Sequence, residues 1–258
     1  MSRGLSICMF RTPLLLLLPA LLCACQPQPQ PADTTAPAAA PSEGPGFDYE
    51  DSAAASGTVF VLDPRATRID VVVRRNGPLA RFGHDHVVTV GEPDGFLLID
   101  DRGPDSRADL RFRLDNLVVE SAEARARREL DTDPDAAAIE GTRENLLEHV
   151  LDAGQWPWAT LGLTGFERQE DHYSAMLTVA ISGSSYTGRQ PFRLQRAGDR
   201  VRVDGFFILR QTELGIEPFS ALGGGLRVAD PLEIYFRIEA TRYCCLLYTS
   251  DAADECCG

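Results

Sequence analysis

Two histidines set two residues apart, His84 and His86 in Gly83-His84-Asp85-His86, are the side chains whose type and spacing best suit chemistry. Residues i and i+2 of an extended strand share a face. A strand predicted through Arg81–Val90 therefore aligns Phe82, His84, His86, Val88 and Val90, with Asp85 and Val87 opposite. Imidazole can hydrogen-bond, titrate near neutral pH or ligate a metal. Three roles stay open for the pair: holding the polar head of a lipid, structural hydrogen bonding, or sharing an ion. Two ligands do not complete a metal site, so no metal is assigned. His149 and His172, the other histidines, fall on a predicted helix and loop as surface residues.

The remaining chemical motifs dissolve on inspection. Asp131, Asp133 and Asp135 mimic the start of a calcium loop, but Pro134 intrudes, and the glycine and closing glutamate that such a loop needs are missing. They read as solvated acids ahead of a helix. Gly183-Ser184-Ser185-Tyr186-Thr187 fails the hydrolase G-x-S-x-G pattern at its last position. Gly223-Gly224-Gly225 lacks the spacing of a phosphate loop and reads as a turn. Trp156 and Trp158 flank Pro157 and are expected to pack at a strand entry. No catalytic residue is assigned, and the protein is expected not to be an enzyme.

The two ends of the 258-residue chain carry the cysteines. Arg3 and Arg11 precede a short apolar run, Leu14–Leu22, well under the ~20 residues a membrane helix needs. The run ends in Leu22-Cys23-Ala24-Cys25, which resembles a bacterial lipobox. Residues 1–24 are therefore expected to be a lipoprotein signal peptide, with Cys25 lipidated. Gln26, where retained inner-membrane lipoproteins often carry Asp, favours outer-membrane sorting. Residues 25–57, rich in Pro, Ala, Ser and acids, cannot bury enough apolar surface to order themselves and read as a tether. At the other end, Cys245-Leu246-Leu247-Tyr248-Thr249-Ser250-Asp251-Ala252-Ala253-Asp254-Glu255 resembles a translated transposon-end sequencing adapter. Residues 243–258 are expected to be an assembly artefact. The stretch left between, residues 58–242, contains no cysteine, which rules out disulfides and thiolate metal sites there.

All 25 basic residues are arginine, and the formal net charge is -13. Without Asp251, Asp254 and Glu255 it is still -10, with 35 acids against 25 bases. Such a balance argues against nucleic acid as a partner, because phosphate neutralisation needs a basic face.

The elements that must position the histidines are strands. Leu110, Phe112, Leu114, Asn116 and Val118 alternate with polar residues, as do Leu232, Ile234, Phe236 and Ile238, and Val201, Val203, Phe207 and Leu209. Shorter strands are predicted over Thr58–Leu62, Arg68–Arg74, Gly95–Ile99, Thr160–Phe166, Ser174–Ile181 and Phe192–Gln195. Alternation with one apolar face signifies an antiparallel sheet. Ser121–Leu130 and Asp135–Ala153 carry helical spacing instead, with one candidate helix starting at Thr142 and stopping at Gly154 and Pro157. About 185 residues in one piece, mostly strand, predict an all-β, antiparallel, lipocalin-like barrel with a short helical insertion. A two-sheet β-sandwich is the alternative.

Three segments carry a resemblance. They are Val59-Phe60-Val61-Leu62-Asp63-Pro64 with Ile69–Val73; Gly77-Pro78-Leu79-Ala80-Arg81-Phe82-Gly83-His84-Asp85-His86; and Gln211-Thr212-Glu213-Leu214-Gly215-Ile216 with Pro218-Phe219-Ser220 and Leu222-Gly223-Gly224. Together they resemble the YceI-like family of secreted lipocalin-type proteins, in a GHDH-containing subgroup. Ala66-Thr67 stands where His-Ser often follows the Asp-Pro element. The resemblance implies an elongated barrel holding a long apolar ligand, such as an isoprenoid or fatty-acid-like lipid, with no other cofactor. The residues expected to meet that ligand are Phe82, His84, His86, Val88, Phe112, Leu114, Phe207, Leu209, Ile234 and Phe236. The expected setting is the envelope of a Gram-negative-type bacterium, facing the periplasm from the outer membrane. A structural or stress-related envelope protein acting through its exterior, or a His-dependent metal-binding protein, are the alternatives.

Overall fold

A computed structural model describes residues 57–100 and 105–243. The expected signal peptide, and all of the expected tether and adapter-like tail but Gly57 and Tyr243, lie outside the described residues. Strands β1 (Thr58–Leu62), β4 (Asp94–Ile99), β5 (Arg107–Arg113), β7 (Trp158–Arg168), β8 (Tyr173–Ile181), β9 (Ser184–Ala197), β10 (Arg200–Arg210) and β12 (Leu226–Arg242) each pair antiparallel with the next in that order. The ring closes because β1 also pairs with β12, Phe60 opposite Arg242 and Leu62 opposite Ala240. This is a closed eight-stranded barrel, not a two-layer sandwich. Closure pairs every strand with two neighbours, apart from a gap where β9 and β10 separate beyond Arg193 and Asp204, and the inward-facing residues of the alternating pattern fill the interior. Phe60, Leu97, Leu110, Leu177, Val201 and Val203 are among those buried there.

Past the β1 junction the same edge of β12 continues into a three-strand extension. It pairs with β2 (Arg68–Asn76), which pairs with β3 (His86–Thr89), which pairs with β6 (Val118–Val119). The corner between β1 and β2 is the Asp-Pro element. The Asp63 carboxylate accepts from the backbone N–H groups of Arg65 and Ala66 at 2.9 and 3.2 Å, a side-chain-stabilised turn. Pro231 sits where the β12–β2 register shifts, and a bulge tolerates its missing N–H. A two-residue strand, β11 (Ser220–Ala221), pairs with the start of β12.

The helical insertion covers the extension. Helix α1 (Ala122–Arg127) is capped by Ser121, whose hydroxyl accepts from the Ala124 N–H at 3.1 Å. It buries Ala124 against Val72 and Val87 on the outer face of β2 and β3. Helix α2 (Ala136–Glu144) starts at Asp135, not at Thr142 as the spacing predicted. The Asp135 carboxylate caps the Ala138 N–H at 2.9 Å, while the Thr142 hydroxyl, already inside the helix, donates to the Ala138 carbonyl. A wider π-helical turn over Asn145–Val150 follows, and it packs Leu146, Leu147 and Val150 on the core.

Two predicted strands are cut short. Arg81–Val90 is not one strand: Ala80–Phe82 forms a 3-10 turn and pairing begins only at His86. The turn spends the Phe82 and Gly83 N–H groups on the Leu79 and Ala80 carbonyls. Phe82 is consequently 70% exposed and does not share a face with the histidines. The strand predicted through Leu110–Val118 breaks at a 3-10 turn over Leu114–Asn116.

Candidate functional site

The barrel interior holds three cavities in file. An inner one of about 80 Å³ is lined by Leu97, Leu163, Leu177, Phe192, Phe236 and other apolar side chains, with Gln190 the one polar residue. A central one of about 170 Å³ shares Ile69, Leu161, Phe207 and Ile234 with it. A third, about 110 Å³, shares Val73, Val88, Leu146, Val150 and Gln211 with the central one and adds His86 and Phe219. Adjacent cavities thus meet at common side chains, and polar groups gather at the third, which forms the mouth. Gln211 is buried there, its amide nitrogen donating to the Ala229 carbonyl at 2.7 Å.

Of the residues expected to meet a ligand, Val88, Phe112, Phe207, Leu209 and Ile234 line the central cavity, Phe236 lines the inner one, and His86 lines the mouth. Leu114 is fully buried in the core and lines none of these cavities, because the chain turns at Leu114–Asn116 where a strand was expected. Phe82 points outside, its ring under the Arg81 guanidinium. His149 is exposed, and His172 pairs with exposed Asp171. Asp131 pairs with Arg75 and Asp135 caps α2, so neither belongs to a calcium loop. Trp158 opens β7 beneath Arg111 and Arg113, whereas Trp156 is substantially exposed.

The motif segments converge at the mouth. Leu79 donates its N–H to the Gly225 carbonyl at 2.9 Å, joining the GHDH-bearing segment to the triple glycine. Gly77 lies at φ +96°, and a Cβ there would come within 2.7 Å of the Gly225 oxygen. The Gln211–Ile216 segment turns at Gly215 and lowers Leu214 and Ile216 into the central cavity wall.

Beside the mouth lies a group that no sequence motif announced. The Glu120 side chain is fully buried at the end of β6, on a backbone with φ +57°. Its Oε1 accepts from His86 Nδ1 at 2.6 Å and lies 3.4 Å from His84 Nε2. Its Oε2 accepts from the buried Arg125 guanidinium and from the Val87 N–H. Arg125 also donates to the carbonyls of Thr132 and Asp85 and to the Thr132 hydroxyl. Burial pushes the Glu120 carboxyl up, but the bonds and charges of His86 and Arg125 outweigh it and hold the group below the ordinary carboxylate range. Burial, then the neighbouring His86 charge, pull the His84 imidazole below its ordinary value. His84 Nε2 is a buried atom with no hydrogen-bond partner.

A second buried acid sits on the outer face of β2. Asp70 is completely buried and receives Arg127, Arg128 and the Thr89 hydroxyl at 2.8–3.2 Å. Those arginines border an outer groove with Arg68, Arg193 and Arg237, which shares Pro191, Phe192 and Phe236 with the inner cavity. The groove opens where β9 and β10 part: their pairing ends at Arg193 opposite Asp204.

No protein-family model and no curated protein matches the chain. Among solved structures, Burkholderia cenocepacia BcnA superposes with a TM-score of 0.52 and 14% identity, over 70% of this chain and 99% of that one. A Campylobacter jejuni YCEI protein gives a TM-score of 0.46 at 10% identity, over 60% of this chain and 84% of that one. The likeness to BcnA is one of fold: the two chains share the barrel architecture.

Proposed function

We propose that the protein is a non-catalytic carrier that holds one long, slender apolar molecule along its barrel axis. The observation that carries this reading is the file of three cavities, walled almost wholly by apolar side chains in the interior, with His86, Thr142, Asn145 and Gln211 gathered at the mouth. Each buried methylene contributes about 0.8 kcal/mol. Association costs roughly 4–15 kcal/mol, so about twelve methylenes are needed before binding turns favourable at the middle of that range. A long chain meets that condition and a small apolar molecule does not. The arginine groove joined to the inner cavity favours an anionic head, since Arg68, Arg193 and Arg237 line it beside Arg127 and Arg128, which Asp70 holds, with Asp204 as its one acidic wall residue. An isoprenoid or fatty-acid-like lipid has this form.

The YceI-like resemblance of the three motif segments agrees with a lipid-carrying barrel. So does an envelope lipoprotein anchored through Cys25 and facing the periplasm, where a carrier would meet membrane lipids. Two or more acyl chains would make that anchor stable.

The test is uptake of a conjugated polyene fatty acid, whose fluorescence rises when it leaves water. The wild-type protein is expected to take up one molecule per chain. Ile234→Trp, placed where the inner and central cavities meet, is expected to abolish uptake while the chain stays folded. Absence of uptake by the wild type, or unchanged uptake in the variant, would overturn the proposal.

A further inference from the structure

We infer that His84, His86 and Glu120 form a binding site for one divalent transition ion of the zinc class, at the barrel mouth. The sequence offered two imidazoles; the fold supplies the third donor, a carboxylate more than thirty residues away in the chain. One ligand atom from each residue lies within 4.8 Å of the others. An ion about 2.0–2.1 Å from each of two tetrahedral ligands separates those ligands by roughly 3.3–3.4 Å. The His84 Nε2 to Glu120 Oε1 distance, 3.4 Å, already meets that value. The His86 Nδ1 to Glu120 Oε1 distance of 2.6 Å is that of a hydrogen bond. Replacing its proton by an ion requires this edge to open by a fraction of an ångström, with the two imidazole nitrogens, within 4.8 Å of each other, turning toward the shared ion.

Two further features point the same way. His84 Nε2 is buried without a hydrogen-bond partner, an arrangement that is unfavourable if nothing binds it. Glu120 is also held as metal-binding carboxylates are. Arg125 and the Val87 N–H fix one oxygen and leave the other facing the imidazoles, and Arg125 is itself held by Thr132 and Asp85. Two imidazoles and one carboxylate select zinc-like ions over calcium or magnesium, which take oxygen ligands. Three protein ligands leave a coordination position for water or for a donor atom of a bound molecule.

The test uses the full chain with its thiols alkylated, stripped of metal and titrated with Co²⁺ and then Zn²⁺. The expected result is one Co²⁺ per chain with visible absorption, displaced by Zn²⁺. In His84→Ala the affinity should fall by more than the about 10–100-fold that follows loss of an outer-shell partner. Melting of the metal-free variant reports whether it folds. Zinc-edge X-ray absorption of the wild type, which needs no variant, should count two imidazoles. A wild type that binds no ion, equal binding in a folded His84→Ala, or a zinc shell without imidazole would overturn the inference. None of these outcomes depends on whether the lumen takes up lipid.

Discussion

Asp70 and Glu120 are the residues that the fold commits to most heavily, and each is buried only because arginine meets it. For Asp70, burial raises the carboxyl, but the hydrogen bonds of Arg127, Thr89 and Arg128 outweigh it, and the net shift is downward. A carboxylate whose folded value is depressed stabilises the protein fully above its unfolded value and loses that contribution as pH falls through the folded one. Stability should therefore be level above about pH 5 and decline below the ordinary carboxylate value near 3.9. Asp70→Asn should lower stability at pH 7 by about 2 kcal/mol, since the bonds lost are charged but both arginines can still reach solvent. It should also flatten the acid decline; urea titrations from pH 3 to 7 would show both, and an unchanged acid limb would refute the assignment. Asp70 lies inside the apolar run Ile69–Val73, but it was not singled out from the sequence. Neither was Glu120. It follows a two-residue strand, and only its left-handed backbone turns the carboxylate back toward His86.

At the scale of elements, the Gln211–Ile216 segment illustrates how a motif can serve the cavity without touching chemistry. Its turn requires Gly215, at φ +70° and with the Ser184 Oγ only 2.5 Å from where a Cβ would stand. Gly215→Ala should cost about 2 kcal/mol through strain and clash, read as a lower thermal midpoint; an unaltered midpoint would contradict that account. Strands whose apolar residues face the lumen were legible from alternation alone, as in β10 and β12. The β9 strand was not: it was predicted as Phe192–Gln195 but runs from Ser184 to Ala197. Its first half is polar or glycine-interrupted, and it holds Pro191, which a strand paired on both sides would reject. There β9 pairs only with β8, because pairing to β10 stops at Arg193. The helices were legible in place but not in register, because two capping residues competed and Asp135 won. Arg81–Val90 was misread because alternation takes no account of the tight turn that follows Gly77-Pro78.

For the whole molecule, closure through β1 and β12 turns a run of alternating strands into a container, and the cavities along its axis decide what it can contain. The antiparallel strands and the helical excursion were written in the sequence pattern, but the choice of barrel over sandwich was settled only by the pairing of β1 with β12. The meeting of His84, His86 and Glu120 required the fold, because their separation along the chain bears no relation to their proximity. The central claim, that the lumen holds a long apolar molecule, is tested most directly by native mass spectrometry of the protein purified from the cells that make it, followed by organic extraction. One equivalent of a long-chain lipid, lost in Ile234→Trp, is the predicted result. An empty barrel that stays empty on incubation with lipid vesicles would contradict it.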